Sequence, residues 1–274
     1  MSFIKLTKGE VEQVAAFMSE VCGNDFSGKE YLISSKMGLL CQQEGFLHFY
    51  DFWDSVRGHT MEAARRRQQV IDALTTNYSY FFREDQHFAR LSELIGSGIL
   101  PVVPGKLRVW SVGCATGEEP YNIAMALEDC RRMGQLPFGY KIVASDISSK
   151  AIAIAEKGRY SLDDYARLPP AWRKRYCGRA GDGCEVSQLL RANVEFRLEN
   201  VLEPRPDAPF DLVWCRNMII YFNSHAIKRL CSLLKGLVKP GGYLFFGHAE
   251  VLEGVSGFTY VEPSLWRRNQ LPVG

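Results

Sequence analysis

From about residue 106 onward, short apolar segments alternate along the chain with helical stretches. The apolar segments predict strands, and the stretches between them are long enough to be crossover helices. This alternation predicts an α/β fold with a parallel, doubly wound sheet and helices on both faces. The predicted strands are Leu107–Val112, Tyr140–Ser145, Val194–Leu198, Phe210–Trp214, Tyr243–Gly247 and one within Phe258–Arg267, and the predicted helices are Glu118–Met133, Ser149–Lys157 and Ser224–Val238.

The front third of the chain has a helical pattern instead. Thr7 and Glu10 have the spacing of a capping box, and Gly23 is placed to end the helix that follows. Further helices are predicted over Lys29–Glu44, Phe46–Trp53 and Glu62–Leu74. We expect a small all-helical N-terminal domain with a linker over residues 1–88 and the α/β domain over 89–274, with an insertion at about 168–193, where prolines and glycines break the alternation.

The composition excludes several classes of protein. Thirty-three lysines and arginines against 31 acidic residues give a net charge of +2, which argues against a protein that mainly coats nucleic acid or an anionic membrane. No apolar run reaches the roughly 18 residues of a membrane span, and the first residues lack a signal-peptide pattern. The eight cysteines include no C-x-x-C pair, so we expect reduced thiols, no zinc site and a cytoplasmic protein.

A glycine-containing turn follows the first strand of the α/β region. Gly113 and Gly117 allow a sharp turn and a close approach of a ligand to the main chain. Asp146 ends the second strand, where an acid can accept both hydroxyls of a ribose. Glu118 and Glu119 repel phosphate and tolerate a cation, so this nucleoside site favours S-adenosylmethionine over NAD.

The fourth strand ends in Cys215–Phe222, at the sheet edge where substrate meets cofactor in open α/β sheets. Asn217 can donate and accept hydrogen bonds there, and Tyr221 can close over the reacting carbon. The apolar residues of the same segment are expected in the core; they are Ile219, Ile220 and Phe222.

Six segments are specific enough to compare with known families: TTNYSYFFRE (75–84), VWSVGCATGEEPYNIAM (109–125), ASDIS (144–148), EKGRY (156–160), FDLVWCRNMIIYF (210–222) and KPGGYLFFGHAE (239–250). Together they resemble the CheR-type chemotaxis receptor glutamate O-methyltransferases over nearly the whole chain. The resemblance implies a small N-terminal helical domain, followed by an S-adenosylmethionine-dependent methyltransferase domain of Rossmann-like fold with a small antiparallel β insertion. It implies methylation of chemoreceptor glutamates, with S-adenosylhomocysteine as the second product.

The resemblance also implies roles for individual residues. Asp146 would hold the ribose, and Glu119 would lie near the charged methionine end of the cofactor. The implied cofactor contacts are Asn77, Ser79, Arg83, Glu119, Asp146, Asn200, Val201, Asn217 and Met218.

Arg83 and Tyr221 are the catalytic candidates. A glutamate carboxylate is ionised at neutral pH, so methyl transfer needs no general base and no metal. The enzyme has to hold the two groups in line and exclude water, which can supply up to ~7–11 kcal/mol. Arg83 can hold the carboxylate through its planar guanidinium, and Tyr221 can orient the same carboxylate or line the path of the methyl group. The alternative for Arg83 is a surface ion pair with Glu84 or Asp85.

Several interpretations stay open. Arg65, Arg66 and Arg67 form either a solvated helix face or a contact with an acidic receptor helix. His248 is a structural hydrogen-bonding residue or a neighbour of the cofactor. Five aromatic residues of the third helix region are expected in the core: Phe46, Phe49, Tyr50, Phe52 and Trp53.

The expected partner is the cytoplasmic helical region of a membrane chemoreceptor, and a receptor tethering peptide at the β insertion is a second candidate. Neither nucleic acid nor direct membrane insertion is expected, and a monomer suffices. Two other functions are weighed: a methyltransferase acting on a small molecule or RNA, and a non-catalytic module that senses the cofactor. The absence of an Asn-Pro-Pro-Tyr loop after the fourth strand argues against methylation of a base amine.

Overall fold

The computed structural model describes residues 4–100, 105–203, 209–250 and 256–270. Two sheets and a set of helices make up these ranges. The helices are α1 Lys8–Cys22, α2 Glu30–Gln43, α3 Phe49–Arg57, α4 Met61–Leu74, α5 Gln86–Gly96, α6 Glu118–Arg132, α7 Ser149–Lys157, α8 Leu162–Arg167, α9 Pro170–Tyr176, α10 Gln188–Arg191 and α11 Ser224–Leu237, with a 3-10 turn at Ile219–Tyr221. The strands are β1 Lys106–Val112, β2 Gly139–Asp146, β3 Arg159–Ser161, β4 Cys177–Ala180, β5 Gly183–Val186, β6 Val194–Leu198, β7 Phe210–Cys215, β8 Val238–Phe246, β9 Phe258–Glu262 and β10 Leu265–Arg268.

The N-terminal helices follow the sequence prediction closely. Thr7 and Glu10 form the predicted capping box at the start of α1, and Gly23 ends the helix in the left-handed conformation, with φ of 72°. Helices α1 to α4 share one apolar core. The third helix begins at Phe49 rather than Phe46, because His48 is extended and serves as its N-cap.

The main sheet has seven strands in the order β6-β2-β1-β7-β8-β10-β9. The five strands from β6 to β8 are parallel, and one core cluster lies on each face of the sheet. The predicted doubly wound sheet is confirmed, but it is mixed rather than parallel at one edge, where β10 pairs antiparallel with both β8 and β9. Pro263 and Ser264 split the predicted last strand in two, and a connection of two residues can join only antiparallel strands.

A second, antiparallel sheet with the order β3-β5-β4 confirms the predicted small β insertion. Its first strand, Arg159–Ser161, precedes the predicted range of 168–193. The insertion therefore starts earlier in the chain than the break in the alternation indicated. The domain limits at residues 88 and 89 stay predictions.

Two residues expected in the core are exposed. Tyr50 is 71% exposed because it lies on the outer face of α3, whereas Phe49, Phe52 and Trp53 are buried and Phe46 packs against them. Ile220 is 49% exposed on the 3-10 turn, although Ile219 is buried and Phe222 packs against the core. Short turns present adjacent side chains to different sides, so apolar character alone does not decide burial there.

The three consecutive arginines of α4 bond to other groups of the same chain. Arg65 pairs with Glu44 and Glu62, and Arg66 pairs with Glu62 and lies over the Phe46 ring. The Arg67 guanidinium donates to two backbone carbonyls, that of Val56 in the last turn of α3 and that of Gly58 at its C-cap. The side chains therefore connect α4 to its neighbours.

All eight cysteines are free thiols, and six of them are buried. Within the described ranges, none of the helices combines the length and the apolar character that crossing a bilayer requires.

Candidate active site

A cleft lies beyond the carboxyl ends of β1, β2 and β7. It encloses about 1000 Å³, part of it open to solvent. The N-terminal region supplies one wall, through Cys22, Asn24 and residues 75–80. All ten residues predicted for the site line this one cleft: Asn77, Ser79, Arg83, Glu119, Asp146, Asn200, Val201, Asn217, Met218 and Tyr221. Their individual roles stay predictions.

The turn between β1 and α6 forms the floor of the cleft. Gly113 has φ of 66°, a conformation that favours glycine, and a Cβ there would lie 3.0 Å from Sδ of Met218. Ala115, two residues on, donates its backbone N–H to Asp146 at 2.9 Å. The turn and the end of β2 are thus fixed to each other at the edge of the sheet.

Asp146 is buried at the end of β2. Its Oδ2 accepts from Ala115 N, and its Oδ1 accepts from Ser148 N at 2.9 Å. Burial raises the pKa of this carboxyl above its usual range, although these amides oppose the shift. Each oxygen has a further lone pair, so the carboxylate can also accept ligand hydroxyls.

The two adjacent glutamates at the start of α6 have different positions. Glu119 lines the cleft and accepts from Ser111 Oγ at 2.8 Å and from Arg216 Nη1 at 2.9 Å. Burial raises its pKa, and Arg216 opposes the shift. Glu118 is absent from the cleft lining and accepts from the Thr116 hydroxyl. Only Glu119 is therefore placed to face a cation, which corrects the expectation for the pair.

Arg216, which the sequence analysis did not single out, connects the two sides of the cleft. Its side chain is 1% exposed and donates to Glu119, Glu84 and the Arg83 carbonyl at 2.7–2.9 Å. Burial disfavours ionisation of Glu84, but hydrogen bonds from Asn217 and Arg216 outweigh it and lower the pKa of Glu84. A charged residue directly after the apolar strand β7 was the available signal.

A carboxylate also organises the loop after β7. Glu250, buried to 8% exposure, accepts backbone N–H groups from Asn217, Met218, Ile219 and Gly247 at 2.7–2.8 Å. Asn217 takes the left-handed conformation, with φ of 57°, and its side chain donates to Glu84 at 3.0 Å. This strained conformation is held by interactions on both sides. Glu250 is the last residue of the KPGGYLFFGHAE segment, but the sequence alone did not indicate which groups the Glu250 carboxylate would bind.

The two catalytic candidates lie in the cleft wall, partly exposed. Arg83 donates to the Tyr78 carbonyl at 3.2 Å and lies 5.8 Å from the Tyr80 ring. Among the described residues, Arg83 forms no ion pair with Glu84 or Asp85, and the Glu84 carboxylate pairs with Arg216 instead. The alternative of a surface ion pair is therefore wrong.

Asn77 and Asn200 hold parts of the cleft together. Asn77 Nδ2 donates to Ser148 Oγ at 2.9 Å, just after Asp146. Asn200 Nδ2 donates to the Val21 carbonyl at 2.7 Å, so its side chain fixes the end of α1 rather than pointing wholly into the cleft. Nearby, Asp25 N donates to the Tyr221 carbonyl at 2.8 Å. We call residues 21–25 the N-terminal rim.

His248 lies at the edge of this network and is exposed. Its backbone N–H donates to Glu84 at 3.4 Å, and its ring contacts His87 with centroids 5.0 Å apart. Burial and the neighbouring Arg216 lower the pKa of His87 to about 3, which keeps it neutral. Ligand atoms of Glu84, His87 and His248 lie within 4.8 Å of one another, so within the described ranges these three residues form a group that could hold a metal ion.

The fold and the cleft define a class of enzyme. A Rossmann-like sheet with a buried acid at the end of β2, and a carboxylate instead of a phosphate site after β1, is typical of an S-adenosylmethionine-dependent methyltransferase. Residues 77–266 match the family described as CheR methyltransferase, SAM binding domain. The chain belongs to this family, which confirms the resemblance, the cofactor and the assignment as a methyltransferase.

Relatives match over nearly the whole chain. Chemotaxis protein methyltransferase Cher2 of Pseudomonas putida is 34% identical over 253 residues, covering 90% of this chain and 91% of that protein. Chemotaxis protein methyltransferase of Borreliella burgdorferi is 31% identical over 278 residues, covering 97% of this chain and 96% of that protein. Among solved structures, the N-methyltransferase NodS from Bradyrhizobium japonicum is 16% identical with a TM-score of 0.39, covering 68% of this chain and 97% of that one, a likeness too weak to add to the assignment.

Proposed function

We propose that this methyltransferase esterifies glutamate side chains of chemoreceptors during chemotactic adaptation (protein-glutamate O-methyltransferase, EC 2.1.1.80). The observation that carries the proposal is the half-buried Arg83 guanidinium, which lines the same cleft as Asp146 and Glu119 and has no carboxylate partner among the described residues. A cation at this position suits an anionic acceptor. The names of the relatives, chemotaxis protein methyltransferases, support the same substrate class.

The residues of the cleft fit the cofactor. Asp146 would hold the ribose hydroxyls, and Glu119 would face the ammonium group of the methionine end, in an orientation set by Arg216. When bound, S-adenosylmethionine supplies an electrophilic methyl group on a positively charged sulfur. Asn77 and Ser79, on the segment of residues 75–80, would cover the cofactor and reduce the access of water to the reacting groups.

Arg83 and Tyr221 would act on the glutamate substrate. Arg83 can donate a single hydrogen bond that aligns the carboxylate without neutralising its nucleophilic oxygen. The Tyr221 hydroxyl would orient the second oxygen. No side chain has to remove a proton, because the substrate carboxylate is already ionised at neutral pH.

We further propose that the enzyme acts as a monomer in the cytoplasm, on the helical region of a receptor. The small sheet offers a second contact for a receptor tethering peptide, because β4 is an edge strand and an extended peptide can add to such an edge. Gly178 and Arg179 on that strand are exposed.

The test is methyl transfer from radiolabelled S-adenosylmethionine to a purified chemoreceptor cytoplasmic fragment. Glutamate methyl esters release methanol in base, so we expect base-labile, volatile label. Asp146→Ala should abolish it, and Glu20→Gln on the exposed face of α1 should leave it unchanged. Base-stable label, or label transferred to RNA, would contradict the proposal and favour the alternative substrates.

A further inference from the structure

Asn122 is a buried polar residue of the cleft that the networks described above do not include. It lies on α6, one turn after Glu119, and is 1% exposed. Neither Oδ1 nor Nδ2 has a hydrogen-bond partner among the described residues. The side chain nevertheless lines the cleft. A complete amide is thus buried beside the cleft without using any of its hydrogen-bonding capacity.

Such a group is unfavourable for folding alone. A buried amide without a partner loses its hydrogen bonds to water and gains none in return, which lowers the stability of the fold. An apolar side chain of similar shape would not carry this cost. Its neighbours in the chain, Tyr121 and Ile123, belong to the apolar core. Among the described residues that line the cleft, Arg216 also has a buried unpartnered nitrogen, Nε, but its two other nitrogens are bonded. Asn122 is therefore the cleft residue whose partner is most clearly missing.

We propose that Asn122 binds the amino-acid end of the cofactor. Residues three apart on a helix share one face, so Asn122 and Glu119 are neighbours. The amino-acid end carries an ammonium and a carboxylate; Glu119 can only accept hydrogen bonds, and Arg216 already donates to Glu119 and Glu84. The Asn122 amide can donate to the carboxylate and accept from the ammonium. The inference rests on the proposed cofactor orientation, with the ribose at Asp146.

The test compares two ligands that differ in this end. S-adenosylhomocysteine has it, and 5′-methylthioadenosine lacks it. Asn122→Leu should weaken S-adenosylhomocysteine binding by about tenfold or more in calorimetric titration, because hydrogen bonds to charged groups are lost. Binding of 5′-methylthioadenosine should stay within about twofold, and the ligand-free variant should melt no lower than wild type. Met125→Leu, one turn further on, is the matched control, since a swap of similar volume in the core changes little.

Three results would overturn the inference: unchanged S-adenosylhomocysteine affinity, equal weakening of both ligands, or a lower melting temperature without ligand. The last two would show that the amide supports the fold. If the leucine variant does not fold, Asn122→Ser, which keeps a smaller polar group, should weaken S-adenosylhomocysteine selectively. A wild-type protein that binds both ligands equally tightly would instead refute the proposed orientation, and one that binds neither would refute the proposed site itself.

Discussion

Substitution of Glu250 by glutamine tests whether one carboxylate holds the loop after β7. Oε1 accepts from Met218 and Ile219, and Oε2 accepts from Asn217 and Gly247. A glutamine has one acceptor oxygen, so whichever way its amide is turned, two backbone N–H groups face an NH₂ group. A buried donor without an acceptor costs about 1–3 kcal/mol, so the free energy of unfolding should fall by about 2–6 kcal/mol.

The lower half of this range is expected, because the hydrogen bonds of Asn217 and Met218 are only partly buried. Even so, the expected loss is a large part of the roughly 5–15 kcal/mol that stabilises a typical protein. Since both residues line the cleft, S-adenosylhomocysteine affinity should fall as well.

The assay is urea unfolding followed by tryptophan fluorescence, with calorimetric titration of S-adenosylhomocysteine on the same samples. Glu20→Gln, which removes an exposed carboxylate from α1, serves as the control for loss of charge. The reasoning would be refuted if Glu250→Gln unfolded within about 0.5 kcal/mol of wild type, the usual range for surface changes, and bound the nucleoside with unchanged affinity.

Three further predictions concern the same cleft. Arg216→Met leaves the carboxylates of Glu119 and Glu84 without their cation, so urea unfolding should show a loss of about 3–5 kcal/mol; a loss under about 1 kcal/mol would contradict a buried ion-pair role. Because burial raises the pKa of Glu119, lowering the pH protonates this carboxyl before an exposed glutamate and removes its attraction for the ligand ammonium; the Kd of S-adenosylhomocysteine should rise as the pH falls from neutral toward the usual carboxyl range, and a profile that Glu119→Gln leaves unaltered would count against this. Asn200→Ala removes the hydrogen bond to the Val21 carbonyl, so proteolysis of the N-terminal rim should accelerate while stability falls by about 1 kcal/mol; equal cleavage rates would show that the bond is dispensable.

Local signals were sufficient for much of the fold. The strand β1, the glycine turn at Gly113 and the acid at the end of β2 were each predicted from their immediate neighbours in the sequence, because an apolar run, a glycine after a strand and a charge at a strand end have a local meaning. The capping box at Thr7 is local in the same way. The helix α5 was not predicted, although Phe88, Leu91, Leu94 and Ile95 give it helical spacing and all are buried.

Contacts between distant segments could not be derived from the residues alone. Arg216 meets Glu84 across 132 positions of the chain, and Glu250 reaches Met218 across 32. An arginine or glutamate in isolation predicts only a charged residue, and its partner depends on how the sheet places the strand ends. The Asn200 side chain illustrates the same limit, because the resemblance placed it at the cofactor while its amide also holds α1.

Because of the N-terminal rim, residues from two parts of the chain line the cleft. Cys22 and Asn24 line the cleft, yet they lie before residue 77, where the match to the family begins. The Asn200–Val21 and Asp25–Tyr221 hydrogen bonds connect the rim to the two loops of the methyltransferase region. By thermodynamic linkage, a ligand that changes cofactor affinity by shifting the rim has its own affinity changed by the cofactor by the same factor. A partner bound at the rim and a nucleoside in the cleft would then each change the affinity of the other without touching it.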